Sequence, residues 1–458
     1  MKLEKETEML LATIKAHSTE KEEKSCNVAY AALSGKSAGR LHKEGVLPGE
    51  NRTTFARDRD RIVFSKSFFR LAGKTQVFMS PRNPLVSNRM THTIHVAQLS
   101  RALARALDLN EDLAEAIALG HDLGHPPFGH KGEKILDELS QKFLGTKFEH
   151  NVHSLRFLDV LEKSGHGLNL SYEVRDGIAR HCGETTKGNF TPGEKSGLDK
   201  LAEHSDEEPS TLEGCVVKLC DRIAFVGKDI EDAASCGIIK EEDIPQKITS
   251  VLGTTNGEII DTLVKDAISN FYKDREIFLS NKKKAPSRRE LRIRLSEPVL
   301  KAMNSLIVEF NYPRIYESDM NSRYASQTEN MIRGLFNYFV LELDNLRLPA
   351  KEQASLVDFY KTAGTSQASA LKLSLGELDR SKDLAQEVKL LARKTILKKN
   401  IDEFHGKRNS VVYFLTQMNE DYWLNTRNAQ IAIDYITMMT DETAMAIFES
   451  LTIPRPVV

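Results

Sequence analysis

His121-Asp122-Leu123-Gly124-His125-Pro126-Pro127-Phe128-Gly129-His130 is the stretch on which the reading of the whole chain turns. Upstream of it, Asn110-Glu111-Asp112 opens a helical pattern with Leu113, Ala116 and Ile117 facing inward. His121 falls four residues after Ile117 and eight after Leu113, on the same buried stripe. That helix must stop near Gly124, because Pro126-Pro127 cannot continue it. Working outward, Val96, Leu99, Leu103 and Leu107 make another apolar stripe, and His92 shares its face. Ile135, Leu136 and Leu139 mark a further helix, and residues 151–161 another. After a polar, Gly-rich stretch (183–209), helical periodicity returns from about Leu212 to about Ala234. Strand signals are sparse and short, Thr75-Gln76-Val77-Phe78 among them. The fold class expected is all-α.

The chain has 458 residues, enough for two or three domains. Its organisation reads as an N-terminal arm (1–50), a catalytic core (51–240), a helical connection (241–300) and a C-terminal helical region (301–458). The arm is rich in Lys and Glu and weak in core residues. The connection carries the basic run Lys282-Lys283-Lys284-Ala285-Pro286-Ser287-Arg288-Arg289, with Arg292 and Arg294 beyond it. A net charge of −1 supplies no global field for nucleic acid or membrane, so such attraction would come from local patches. No apolar run approaches the roughly 20 residues that span a bilayer. Five scattered cysteines (Cys26, Cys182, Cys215, Cys220, Cys236), without a CxxC pair, argue against a disulfide framework or a structural zinc site. The Met1-Lys2-Leu3-Glu4 start lacks the apolar stretch of a secretory signal, so a cytoplasmic protein away from membranes is expected.

Histidine crowding sets the chemistry. Seven of the thirteen histidines fall between His92 and His153. Imidazole is the commonest metal ligand and the usual proton carrier near neutral pH. Far downstream, Asp221 interrupts the apolar run Val216-Val217-Lys218-Leu219-Cys220-Asp221-Arg222-Ile223-Ala224. A carboxylate on a buried helix face is costly unless it is paired or bound to a cation. His92, His121, Asp122 and Asp221 would together form a mixed nitrogen and oxygen site with open positions. Such a set suits Mn²⁺ or Mg²⁺, with Fe²⁺, Co²⁺ and Ni²⁺ as further candidates, better than tetrahedral structural zinc.

The segments Arg57–Ile62, Gly73–Phe78, Arg89-Met90-Thr91-His92, His121–Glu133, Phe148-Glu149-His150-Asn151 and Asp221-Arg222-Ile223-Ala224-Phe225 carry a resemblance. The chain resembles the HD-domain superfamily, and more narrowly its deoxynucleoside triphosphate triphosphohydrolases, the dGTPase family. Asp434–Asp441 resembles that family's late signature. The resemblance implies an HD-domain helical core with an additional C-terminal helical region. It also implies that His92, His121, Asp122 and Asp221 are the four metal ligands.

His130 and Glu133 stand three apart at a helix start, which puts a carboxylate beside an imidazole, and the resemblance implies that this pair serves the catalytic step. Glu133 favouring the helix N-terminus is the plainer alternative. His125, on the Pro-bounded loop, is a candidate phosphate contact; His150 matches a family histidine that faces the phosphates. His95 stands where the family more often has glutamate, and His95 and His153 read as structural. Phe225 and Asp229 follow Asp221 at i+4 and i+8, in one line for sugar packing and for the 3′-hydroxyl. The family usually has tyrosine at the position of Phe225. Gln76 matches a residue near the 3′-hydroxyl, and Arg89 and Arg222 match basic positions facing the triphosphate. The ladder Arg57-Asp58-Arg59-Asp60-Arg61 reads equally well as an intrachain salt-bridge network.

The expected reaction is hydrolysis of a dNTP, dGTP foremost, to the deoxynucleoside and inorganic triphosphate, by water attack at the α-phosphate. Two alternatives remain open: an HD phosphohydrolase of nucleoside monophosphates or signalling nucleotides, and a nucleotide- or DNA-binding protein without turnover. The basic run at 282–294 has a solvated face as its plain reading. A regulatory nucleotide site and a single-stranded DNA contact are its functional ones. The resemblance further implies a homo-oligomer, often a hexamer, with Tyr422-Trp423 and residues 435–440 helping to form a neighbouring subunit's pocket.

Overall fold

The computed structural model describes residues 13, 16–44, 52–79, 83–182, 188–197, 207–280, 291–346 and 410–452. The basic run 282–289 lies outside them. The fold is all-α, as expected. The described chain divides into two compact units, 1–332 with 437–446, and 333–436 with 447–458. The divisions expected at residues 50, 240 and 300 do not coincide with these units, since pairing between segments distant in sequence decides which residues share a core.

Helix starts in the first unit follow their caps. Helix α1 (Thr54–Val63) opens where the Thr53 hydroxyl accepts from Ala56 N. Helix α2 (Arg89–Ala106) opens with a capping box between Asn88 and Thr91, which places His92 on the buried face from the first turn. Helix α3 (Glu111–Gly120) is capped by the Asn110 side chain, which accepts from Leu113 N at 3.1 Å, a contact worth about 1 kcal/mol. Helices α4 (Gly129–Leu144), α5 (His150–Arg156) and α6 (Tyr172–Ala179) follow. Helix α7 (Leu212–Val226) packs against α2, α3 and α6, while α1 packs against α3. Val96, Leu103, Leu113, Ile117, Val216, Leu219 and Ile223 are buried together in that core.

Strand structure among the described residues is slight: Asn189–Phe190 pairs antiparallel with Ile293–Arg294. The β-like stretch at residues 75–78 is reduced to one bridge, Thr75 with Asn88. Part of the expected arm belongs to the core, because Tyr30 and Ala31 are buried and the Tyr30 ring meets Phe271 and Phe278 edge-on. The Arg57–Arg61 ladder is an intrachain network: Arg59 pairs with Asp112 at 2.6 Å, Asp58 with Arg40 at 2.6 Å, and Arg57 with Glu44 at 2.6 Å. Arg294, at the edge of the basic region, forks onto Asp274 at 2.8 and 2.9 Å.

In the second unit, Tyr435 packs on Phe339 and Phe414, and the Tyr422 hydroxyl donates to Asp434 at 2.6 Å. These aromatics are therefore engaged within their own chain. No helix among the described residues is long and apolar enough to cross a membrane.

Candidate metal centre

Local chain geometry brings the ligand candidates together. His121 caps α3, and its Nδ1 lies 2.6 Å from the Ala118 carbonyl oxygen, which fixes the ring with Nε2 facing inward. The loop then turns tightly. A Cβ at Gly124 would come within 2.2 Å of both His150 O and Ser154 N, so this glycine is what lets the loop lie against α5. The Ser154 hydroxyl ties the two, donating to His121 O at 2.7 Å and accepting from Gly124 N at 2.8 Å. Phe128 has φ of +67°, and the following Gly129 has +58°, so the chain reverses through the left-handed region into α4. Asp441 holds this corner by accepting from Phe128 N at 2.9 Å and from Thr75 N at 3.0 Å. The buried Lys74 ammonium adds bonds to His125 O and, at 2.8 Å, to Thr437 O.

His92, His121 and Asp221 converge, with their ligand atoms mutually within 4.8 Å. His92 Nε2 lies 2.9 Å from Asp221 Oδ1, and His121 Nε2 lies 3.6 Å from that oxygen and 3.5 Å from Asp122 Oδ1. His121 Nε2 is buried yet has no hydrogen-bond partner. A buried orphan nitrogen between two carboxylates fits a divalent cation, which would satisfy all three groups at once. Burial opposes ionisation of both aspartates, but the surrounding charges outweigh it. His121, Arg89 and His125 hold the Asp122 carboxyl well below its usual range, and His92 and His121 do the same for Asp221. Both stand ready as anions.

A second cluster adjoins the first. Glu133 accepts from His150 Nδ1 at 2.7 Å and lies 3.0 Å from His130 Nδ1. Burial pushes the Glu133 carboxyl up, while His150 and His130 pull it far lower, leaving it ionised. His125 stacks on His150 with ring centroids 3.8 Å apart, and its Nε2 is 3.4 Å from Asp122 Oδ1. Burial, with Arg89 beside it, holds His125 well below the ordinary imidazole value. His130 is mostly exposed, whereas Glu133 and His150 are largely covered and His125 is buried.

The substrate-side expectations fare unevenly. Asp221 and Phe225 lie on α7, which ends at Val226, and Asp229 lies on the next helix, α8 (Lys228–Ser235), with Gly227 between them still in the right-handed helical region at φ −94° and ψ −31°. Phe225 packs half-buried against the core. Asp229 is buried and accepts from the Tyr316 hydroxyl at 2.6 Å; burial pushes its carboxyl up to about 7. Arg222 donates to Asn304 at 2.8 Å. Arg89, expected to face the triphosphate, is buried and paired with Asp122 at 2.5 Å, because the chain supplies an anion next to it. Its Nη2 and the Gln76 Oε1 are both buried without partners. His95 is exposed, and His153 is buried against Phe148 and Phe157.

Two residues at this site escaped the sequence reading. His181 follows α6, its Nδ1 2.7 Å from Ile178 O, and its ligand atom lies within 4.8 Å of those of His121 and Asp122. Burial and the neighbouring His121 lower it to about 3, so its imidazole is neutral, with Nε2 3.4 Å from Cys182 Sγ. Cys182 lies beside it, 3.1 Å from His150 Nε2. Arg180-His181-Cys182 has no ligand-spacing signature, and it follows a helix that already carries Glu173, Arg175 and Asp176, so no local pattern set it apart.

A sequence profile of the HD domain matches residues 89–225, the span from the first turn of α2 to the end of α7. A deoxyguanosinetriphosphate triphosphohydrolase-like protein of Caldanaerobacter subterraneus subsp. tengcongensis is 40% identical over 331 residues, covering 72% of this chain and 84% of its own length. The chain belongs to this HD-domain family. Relatives of the same description from Desulfatibacillum aliphaticivorans and Clostridium tetani are 37% and 36% identical, covering 74% and 72% of this chain and 87% and 81% of their own. Membership makes it a metal-dependent phosphohydrolase, and the clustered His, Asp and Glu side chains are of the kind such chemistry needs.

Proposed function

We propose that the chain hydrolyses deoxynucleoside triphosphates, dGTP foremost, to the deoxynucleoside and inorganic triphosphate. The observation that carries this reading is the orphaned His121 Nε2, set between Asp122 and Asp221 and beside the His130–Glu133–His150 cluster. The relatives' description as deoxyguanosinetriphosphate triphosphohydrolase-like supports the substrate.

His92, His121, Asp122 and Asp221 would hold the ion, Mn²⁺ or Mg²⁺. A bound ion supplies positive charge to phosphate oxygens and acidifies water. His125 and His150 face the phosphate, while Arg89 and Arg222 add cationic charge and Phe225, Asp229 and Gln76 meet the sugar. In the chemical step a water oxygen bonds to the α-phosphorus and the bond from that phosphorus to the sugar O5′ breaks. His130 moves the proton that O5′ needs, and Glu133 orients and charge-balances the imidazole. In this reading the catalytic core of residues 51–240 is completed by Tyr316 and Asp441. The protein is further proposed to work in the cytoplasm as a homo-oligomer.

The test is product chromatography after incubation with each of the four dNTPs and with GTP, in the presence of Mn²⁺. Intact triphosphate and a deoxynucleoside are expected, from dGTP above all. Monophosphate or diphosphate products would overturn the reading, as would absence of turnover in dNTP mixtures.

A further inference from the structure

Cys182 and the two imidazoles beside it form a group that the proposed reaction leaves partly unused. Cys182 Sγ lies 3.1 Å from His150 Nε2 and 3.4 Å from His181 Nε2, and the three ligand atoms are mutually within 4.8 Å. Zinc bonds of about 2.0 Å to nitrogen and 2.3 Å to sulfur would put N and S about 3.5 Å apart around a tetrahedron. The observed spacings are close to that edge.

The rings are also aimed. His150 Nδ1 is held by the Glu133 carboxylate at 2.7 Å, and His181 Nδ1 by the Ile178 carbonyl oxygen at 2.7 Å. An oxygen on the far nitrogen is the arrangement that orients metal-bound histidines. Both Nε2 atoms consequently face one sulfur. A cation of this size can bond to all three atoms at once. The remaining position of a four-coordinate ion would be open to water.

We propose that His150, His181 and Cys182 form a second metal site, distinct from the His92, His121, Asp122 and Asp221 set, which takes a thiophilic divalent cation of the Zn²⁺ kind. The thiol proton, and any proton on His150 Nε2, leave to solvent as the ion enters. Two nitrogens and a thiolate favour such an ion over Mg²⁺. An ion here occupies His150 Nε2, the nitrogen that in the proposed function would face the phosphate, so the loaded site leaves that contact to His125.

Cobalt(II) reports thiolate ligation through a near-ultraviolet charge-transfer band. The full chain, stripped with chelator and titrated anaerobically with Co²⁺, is expected to bind two ions per chain and to show that band. Cys182→Ser should lose the band and one equivalent, while His92→Gln should lose one equivalent and keep the band. Zn²⁺ should abolish the band in the unaltered chain by displacement. Absence of the band from the unaltered chain, or its survival in Cys182→Ser, overturns the proposal. Should Cys182→Ser fail to fold, peptide mapping of the unaltered chain decides. Zn²⁺ is expected to protect Cys182 from iodoacetamide, and unprotected alkylation refutes the site.

Discussion

On the ion side of the site, the rings of His121, His150 and His181 are steered by an oxygen on the nitrogen that does not face the cluster. Ala118 O holds His121, Glu133 holds His150 and Ile178 O holds His181. Two of those three oxygens come from three residues upstream, so short stretches of chain set the angles. On the nucleotide side, Asp229, proposed to meet the sugar, is held by Tyr316, 87 residues away, and Arg222, proposed to add charge at the phosphates, by Asn304, 82 residues away. Two of the ring angles on the ion side are thus set by local helix geometry, whereas these nucleotide-side contacts come from segments distant in sequence. The first should govern the chemical step, where small misplacements are costly. The second should govern how well the nucleotide is held.

The largest break should come from Asp122→Asn, which removes a carboxylate from the ion side and leaves Arg89 without its anion. A loss in kcat/KM of ~10³-fold or more, about 4 kcal/mol, is expected, together with a loss of one bound ion in metal analysis. Retention of activity within tenfold would mean that the two halves do not divide the work in this way. Glu133→Gln should lower kcat by ~10²–10⁴-fold with little change in KM, as expected for a group that supports proton transfer.

Gly124→Ala attacks the ion side through its backbone, because the added Cβ would stand 2.2 Å from His150 O and Ser154 N. Denaturant unfolding should show a loss of about 3 kcal/mol, and an unchanged midpoint would show that the loop and α5 are not in close contact.

Two further tests sharpen the sugar side. The Asp229 carboxyl titrates at about 7 in the folded protein, well above its value of about 3.9 in an unfolded chain. Its stabilising contribution is thus complete below about pH 4 and is lost as pH rises through 7. Asp229→Asn, which carries no charge, should gain on the parent by about 1.4 kcal/mol for each pH unit between about 4 and 7 and level off above 7, measured by unfolding without nucleotide. A parallel pair of pH profiles would refute this. Smallest of all, Tyr316→Phe removes one hydrogen bond to Asp229 and should raise KM a few-fold, on the order of 1 kcal/mol, with kcat unchanged. An equal fall in kcat would move Tyr316 to the chemical side.

By itself the sequence determined the helical class and picked out His92, His121 and Asp221, whose ligand atoms the fold brings together. The His121–His130 string, the inward spacing of His92 and the carboxylate inside the α7 apolar run all name residues that share a buried face. A period of 3.6 residues is enough to read that much. Tertiary structure alone decided the rest. Arg89 folds onto Asp122, and Asp441 closes on Thr75 and Phe128 from more than 300 residues away. His181 and Cys182 join the cluster only because α6 ends beside His150. Periodicity reports which side chains leave a helix together; which helices then meet is fixed by packing across the whole core, and no local pattern encodes it.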